Sequence, residues 1–441
     1  MRCRGVLSAM NKYKGKKLLL LGSNVGTLDL LAYAKADGAY TIVADNLPLE
    51  KSIGKQYADS NAYISTGDFE QLKRFVRSEK IDGVFAGISE FNLLNALRIC
   101  EEMSLPFYCT REQWDKIENK ERFRHLCEQF RVPAPKTFYS GSDISCVDLE
   151  QIDLPVIVKP VDSCSSIGVS ICREKEGLKA AMEEARAHSP GNSIIVEELF
   201  DGEEFTAHYT VVNHRVSLSC IDNRIPVCVH DGNVTSIPVA RVYPSSFINE
   251  YLNQVNERMI DLCESLEMEC GVLFVQGLYD KRKNRFAVFE AGLRCAGEAP
   301  YRFLEKINGV NFMRAMLDYS LLGRVDSFPL EKDDPYLKGR IACVTSFVSK
   351  GGVIAKIDGY DSIEKDVPSI IDKECRYQVG DCTPSGDTLR QIVLRFVLIC
   401  DSQQQLINDV TRINRSVKVY DSDGNDLCHT FDISHYYTSR Q

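Results

Sequence analysis

The stretch from Lys16 to Tyr108 alternates short apolar runs with amphipathic segments of helical length, and this alternation constrains the fold more than any other feature. KKLLLLG leads to a helix from Thr27, YTIVAD to a helix near Glu70 to Ser78, and IDGVFAG to a helix from Glu90. Strands separated by helices have the crossover length that parallel pairing requires, so a parallel sheet is expected here. The first strand runs into Gly22-Ser23-Asn24-Val25-Gly26, where glycines permit a tight turn beside a helix N-terminus. A dinucleotide fingerprint would need a third glycine, and Asp45 at the end of the second strand only partly matches its acidic residue.

At 441 residues the chain is too long for one growing core, so several compact units are expected. Around Trp114 to Phe130 it becomes helical and charged, and Arg131-Val132-Pro133-Ala134-Pro135 then stops the helix and opens a linker. From Thr137 to about Gly323 short strands alternate with helices, with hairpin-like runs such as TAHYTVVNHRVSLSCI. From Tyr336 to Ile433 come the strands of RIACVTSFVSKGGVIAKIDG, a helix near Ser402 to Ile413, and a last strand, SVKVYD, before Gly424. An α/β unit followed by α+β units fits this order.

Composition narrows the partners. Lys and Arg number 53 against 62 Asp and Glu, a formal net charge of −9 with no long basic stripe, which disfavours nucleic acid. The apolar runs are too short for a membrane span or carry a charge, and MRCRGVLSAMNKYKGKK lacks the apolar core of a secretory signal, so no membrane partner and a cytoplasmic location are expected. The 17 cysteines are scattered, without CxxC pairs or zinc spacing, and read as free thiols. The seven histidines form no motif with a nucleophile.

Three segments carry chemistry. LPVIVKPVDSCSSIGVSIC reads as two strands joined by a small polar loop, Asp162 to Gly168, whose backbone amides and hydroxyls suit phosphate oxygens, with Lys159 supplying positive charge beside them. In IIVEELFDGEEFTAHYTV, Ile194 to Val196 form a strand closed by Glu197 and Glu198. Their carboxylates could accept hydrogen bonds from adenine or ribose, and the backbone near Leu199 could read a purine edge. GVLFVQGLYDKRKNRFAVFEAGLRCAG reads as two strands around a charged turn at Asp280 to Arg285, bringing Gln276 and Glu290 together as oxygen donors for Mg²⁺, with Arg294 suited to a phosphoryl or carboxylate group. The first two segments, each alone, also read as ordinary surface hairpins.

In this order and spacing the pieces resemble the ATP-grasp superfamily, which includes biotin carboxylase, carbamoyl phosphate synthetase and the carboxylate-amine ligases. The resemblance implies a Rossmann-like domain at 16–112 after an N-terminal tail at 1–15, a two-lobed ATP-grasp domain at 113–330 with its small lobe at about 136–196, and a C-terminal α+β lobe at 331–441. It implies ATP contacts from Lys120 in ENKERFRHL, Lys159, Ser163, Ser165, Ser166, Gly168, Glu197, Glu198, Leu199 and Glu204. Metal ligation by Gln276 and Glu290 and a catalytic role for Arg294 follow from the same comparison. Two departures stand out: Gln276 replaces the family's usual acidic residue, and Glu290-Ala291-Gly292-Leu293-Arg294 has glycine where the family has asparagine.

The implied activity is ATP-dependent ligation. A carboxylate is activated as an acylphosphate, with ADP released, and an amine or other nucleophile then displaces phosphate. The cofactors would be ATP and Mg²⁺, with Mn²⁺ as an alternative, and the partners a small-molecule carboxylate and nucleophile; a homodimer is compatible with the family. Glu90, Arg224 and Arg241 are candidates to face the acceptor. A second reading keeps the fold as a non-catalytic ATP-binding regulatory module, and a nucleotide-cofactor oxidoreductase built on the first domain is a distant third.

Overall fold

Leu18 to Leu21 are all buried in the Lys17–Leu21 strand, as a continuous apolar run in a sheet covered on both faces requires. The computed structural model describes residues 11–162, 167–227, 237–386 and 388–438. Lys17–Leu21 lies between Tyr40–Asp45 and Gly83–Phe85, with Ser60–Tyr63 outermost, and all pairings are parallel. The helices Thr27–Ala36, Phe69–Glu79 and Glu90–Met103 intervene as the alternation predicts. Asp68 and Ser89 cap the last two by accepting the backbone N–H groups of Gln71 and Asn92.

The charged stretch expected as one helical region is two helices, Arg111–Glu118 and Lys120–Gln129. Asn119 is extended and accepts the Arg122 N–H, restarting the helix so that Lys120 is its first residue.

The small lobe is an antiparallel sheet in the order Thr137–Gly141, Ile194–Glu198, Val156–Pro160, Ser170–Cys172, with the helix Leu178–Ala187 packed on it and a core of its own. The large lobe is a second antiparallel sheet, Arg215–Ile221, Glu203–Val212, Cys270–Asp280 and Arg285–Gly292. Asn213 and His214, both with positive φ, make the two-residue turn of its first hairpin. Its core is continuous with that of the N-terminal sheet. At Gly83 a Cβ would lie 2.3 Å from the Ser320 carbonyl, so only glycine lets the helix Phe312–Leu322 pack this closely on that sheet.

The C-terminal sheet departs from the expected boundaries. Asn223–Val227 and Ile237–Tyr243, assigned by sequence to the middle domain, pair with each other and continue through Ile341–Ser349 and Ile392–Cys400 to Ile370–Cys375. Ile237–Tyr243 is buried along its whole length and needs a strand on each side. SVKVYD is not the last strand either: Cys428–His429 pairs with Ile341–Ser349, and the helix Ile433–Thr438 follows. Among the described residues all cysteines are free, and no helix is long and apolar enough to cross a membrane.

Candidate active site

Ile157 stands directly opposite Glu197 in the small lobe, so Lys159, two residues further along its strand, emerges on the same face as Glu197. Lys159 Nζ is 2.6 Å from Glu197 Oε2, and Arg124 donates from Nε to Oε1 at 2.7 Å. All three are buried, at 0% exposure for Glu197, 6% for Lys159 and 4% for Arg124. Burial by itself would raise the Glu197 carboxyl, but Lys159 and Arg124 outweigh it and hold the group below the ordinary carboxylate value. Burial pulls the Lys159 ammonium down; Glu197 opposes that pull, and Arg124 and Lys120 add to it. The Lys120 N–H donates to the Val161 carbonyl at 3.1 Å, fixing Lys120 beside the end of the Lys159 strand. Two cationic side chains thus contact one carboxylate, with the charge of Lys120 felt at Lys159, leaving a positive excess suited to an anion.

Glu198 points away from this triad, because successive strand residues face opposite sides. It pairs with Arg285 and accepts the Lys136 N–H at 2.9 Å. The side chains of Glu197 and Glu198 therefore lie on opposite faces of their strand. The Leu199 N–H donates to the Pro155 carbonyl at 3.0 Å, so in this structure that amide is not turned toward a purine edge. Gly168 has φ +74°, and a Cβ there would meet His188 and Pro160; Ser163, Ser165 and Ser166 lie outside the described residues.

Gln276 and Glu290 face each other across the Cys270–Asp280 and Arg285–Gly292 strands, as the hairpin reading expects. Lys159 Nζ lies 5.9 Å from the ring centre of Phe289, next to Glu290, which brings the two segments together. Beyond the strand, Arg294 lies on the Phe274 ring at 4.8 Å, and its Nη2 is 3.6 Å from Glu90 Oε2. Glu204 is ion-paired with Arg224. Burial, together with the directly opposed Arg241, pushes the Arg224 guanidinium down to about 9, against the opposing pull of Glu298 and Glu290.

Arg241 behaves differently from its expectation. It is 7% exposed, its Nη1 donates to Asp222 at 2.6 Å and Thr206 at 2.8 Å, and it lies 3.4 Å from Glu298. His208 Nε2 completes the group at 3.1 Å from Glu298. A guanidinium so engaged is held by internal acids and is not free to face an acceptor. Asp45, the partial dinucleotide match, is also consumed internally, by Lys55 at 2.8 Å and Ser52 at 2.6 Å.

Residues 110–228 match the family described as D-ala D-ala ligase C-terminus. The chain is 33% identical over 187 residues to formate-dependent phosphoribosylglycinamide formyltransferase of Prochlorococcus marinus, covering 42% of this chain and 47% of that protein. It is 25% identical over 303 residues to the carbamoyl phosphate synthase large chain of Clostridium acetobutylicum, covering 63% of this chain and 28% of that one. The chain therefore spans less than half the length of these curated relatives. The structure of L-amino acid ligase from Bacillus licheniformis superposes with a TM-score of 0.74 at 16% identity, over 93% of this chain and 99% of that one. Residues 110–228 thus match an ATP-grasp domain, and the chain as a whole has the fold of the ATP-grasp ligases.

A cation site in this fold must be judged on its donors. Among the described residues no group of three His, Cys, Asp or Glu could hold a metal. Gln276 and Glu290 offer one amide oxygen and one carboxylate, a set that fits Mg²⁺ only when triphosphate oxygens and water complete the shell, as is usual for this cation.

Sequence reasoning missed two residues. Arg124 lies four positions after Lys120 on one helix, a spacing that places both on one face and could have pointed to it. Glu118, in the residues just before Lys120, gave no such signal, because its partner Leu293 is 175 positions away.

Proposed function

We propose that this chain is an ATP-dependent ligase that activates a carboxylate as an acylphosphate and passes the acyl group to an amine or another nucleophile. One observation carries the reading: Gln276 and Glu290 are cross-strand partners, with Arg294 just beyond them and Lys159 approaching from the small lobe beside Phe289. In this reading Lys120, Lys159 and the 162–168 loop hold the triphosphate, and Gln276 with Glu290 holds Mg²⁺, which would neutralise charge on the phosphates. A carboxylate oxygen attacks the γ-phosphorus, the bond to the bridging oxygen breaks, and ADP leaves. The nucleophile's lone pair then attacks the acyl carbon, phosphate departs, and the nucleophile's proton passes to solvent. The protein's share is positioning and charge complementarity, the main catalytic terms for phosphoryl transfer. Arg294 steadies the reacting group, while Glu90 and Arg224 line the acceptor side.

The domain reading is a Rossmann-like unit at 16–112, an ATP-grasp unit at 113–330 that lends strands 223–227 and 237–243 to the last sheet, and a C-terminal lobe from 331. A cytoplasmic location and small-molecule substrates belong to the same proposal; a homodimer is compatible with it.

A second reading, a nucleotide-binding regulatory module, draws on Gln276 and Gly292, which depart from the family's metal pattern. Measuring ADP release from Mg-ATP with pooled metabolic carboxylates and amines separates the two. The ligase reading expects carboxylate-dependent ADP release that Glu290→Ala abolishes while the protein stays folded. Tight ATP binding without ADP release supports the module.

A further inference from the structure

Gly292 occupies the position where the family pattern has asparagine, and its surroundings show that no side chain fits there. A Cβ would come 2.5 Å from the Phe274 ring on one side and 3.0 Å from Glu118 Oε1 on the other. The Phe274 ring, in the space left open by Gly292, carries the Arg294 guanidinium. The Glu118 carboxylate comes from the end of the Arg111–Glu118 helix and accepts the Leu293 N–H at 3.2 Å. From the same stretch of chain, the Tyr108 hydroxyl donates to the Leu293 carbonyl at 2.8 Å. Both backbone groups of the residue before Arg294 are therefore held by side chains from residues 108–118. Arg294 itself has left the Arg285–Gly292 strand, so no ladder hydrogen bond fixes its direction. Glu118 is also two residues from Lys120, and Asn119 between them starts the helix that Lys120 opens.

We propose that Glu118 is a positioning residue for Arg294, reaching it through the space that a side chain at residue 292 would fill. It holds the Leu293 amide so that Arg294 stays on Phe274 and faces Glu90, and it links the placement of Arg294 to that of Lys120. The proposal rests on the ligase reading for what Arg294 does, but not for how Arg294 is held. Gly292 is then not a relic of lost metal chemistry. It is the residue that admits both Phe274 and Glu118.

The test compares Glu118→Ala with Glu118→Gln, since the amide retains a carbonyl acceptor at similar reach. The first readout is the Arg294 Nε–H signal in protein labelled with ¹⁵N-arginine and assigned with Arg294→Lys. That nitrogen is buried in the structure. Glu118→Ala should shift this signal and speed its exchange with solvent, and Glu118→Gln should restore it. The second readout is ADP release in the assay above. Glu118→Ala should lower kcat by about 100-fold, the scale expected for displacement of a positioned group by about 1 Å, with the KM for ATP little changed. Glu118→Gln should recover most of the rate, and adding Glu118→Ala to Arg294→Ala should cost nothing more. An unmoved Arg294 signal in Glu118→Ala, or losses that add in the double variant, would overturn the proposal. A wild-type protein that releases no ADP speaks against the ligase reading alone, and the arginine signal still decides the role of Glu118.

Discussion

Arg124 and Lys159 share the carboxylate of Glu197, one from a helix and one from the adjacent strand, and no member of this triad is more than 6% exposed. Arg124 also donates from Nη1 to the Val288 carbonyl at 2.8 Å, so the same guanidinium ties the small lobe to the strand that carries Glu290. The triad thus fixes the lobe that supplies Lys159 relative to the hairpin that supplies Gln276 and Glu290.

Removing Arg124 should accordingly be costly. Arg124→Ala leaves Glu197 paired with Lys159 but takes the buried donor from Glu197 Oε1 and from the Val288 carbonyl, and each such lost donor costs about 1–3 kcal/mol. Arg285→Ala, which removes the exposed partner of Glu198, should cost no more than about 1 kcal/mol. Urea denaturation of the two variants beside the wild type checks the contrast, and equal losses would contradict the buried triad.

Gln276→Glu should have opposite effects with and without metal. Two carboxylates placed directly opposite on neighbouring strands repel, so Tm should fall in the presence of a chelator. With nucleotide present, the added charge should tighten Mn²⁺ binding by about tenfold, roughly 1.4 kcal/mol. Electron paramagnetic resonance titration of free Mn²⁺ gives the affinity. An unchanged affinity would argue against Gln276 as a ligand.

Gly292→Asn, which restores the family pattern, should be harmful here. The new side chain must displace Phe274 and Glu118 together, so Tm should fall and the Arg294 Nε–H signal should move. A stable variant with an undisturbed Arg294 signal would show that the space at 292 is not filled as described.

Glu118 should make stability depend on pH. Burial, with help from Glu90 and Glu290 and against Arg294, pushes its carboxyl up to about 8 from 4.5. The folded state holds this proton more tightly than the unfolded state, so the group's contribution is full below about pH 4.5 and is lost as pH rises through about 8. Glu118→Gln removes that loss. Its Tm relative to wild type should rise steadily from about pH 5 to about pH 8.5 when melts are run across this window. A constant difference would mean that Glu118 does not titrate there.

The sequence disclosed periodic and local features more readily than long-range ones. The parallel sheet was legible because LLLLG, YTIVAD and IDGVFAG are apolar runs spaced by helical segments. The Gln276–Glu290 pairing was legible because a charged turn between two apolar runs sets the register. Strands 223–227 and 237–243 were misassigned because nothing local marks that 237–243, and the hairpin with it, pairs onward with 341–349 about a hundred positions away. Arg241 was misread for a similar reason: an arginine in a strand looks the same in sequence whether its partners are internal acids or a ligand. The two-glutamate run at 197–198 hid the fact that alternate residues face opposite sides, so that only Glu197 joins Lys159 and Arg124. Glu118 was invisible because its role depends on a missing side chain at Gly292 and on a backbone amide in another lobe.

Trapping the acylphosphate decides whether ATP activates a carboxylate on this protein. Purified protein is given Mg-ATP, pooled metabolic carboxylates and hydroxylamine, with Lys159→Ala and Glu290→Ala as controls, and ADP and hydroxamate are measured together. Carboxylate activation should give hydroxamate and ADP in equal amounts, and neither product from either variant. A protein that binds ATP and releases ADP without any hydroxamate, or that yields both products unchanged in the two variants, would contradict it.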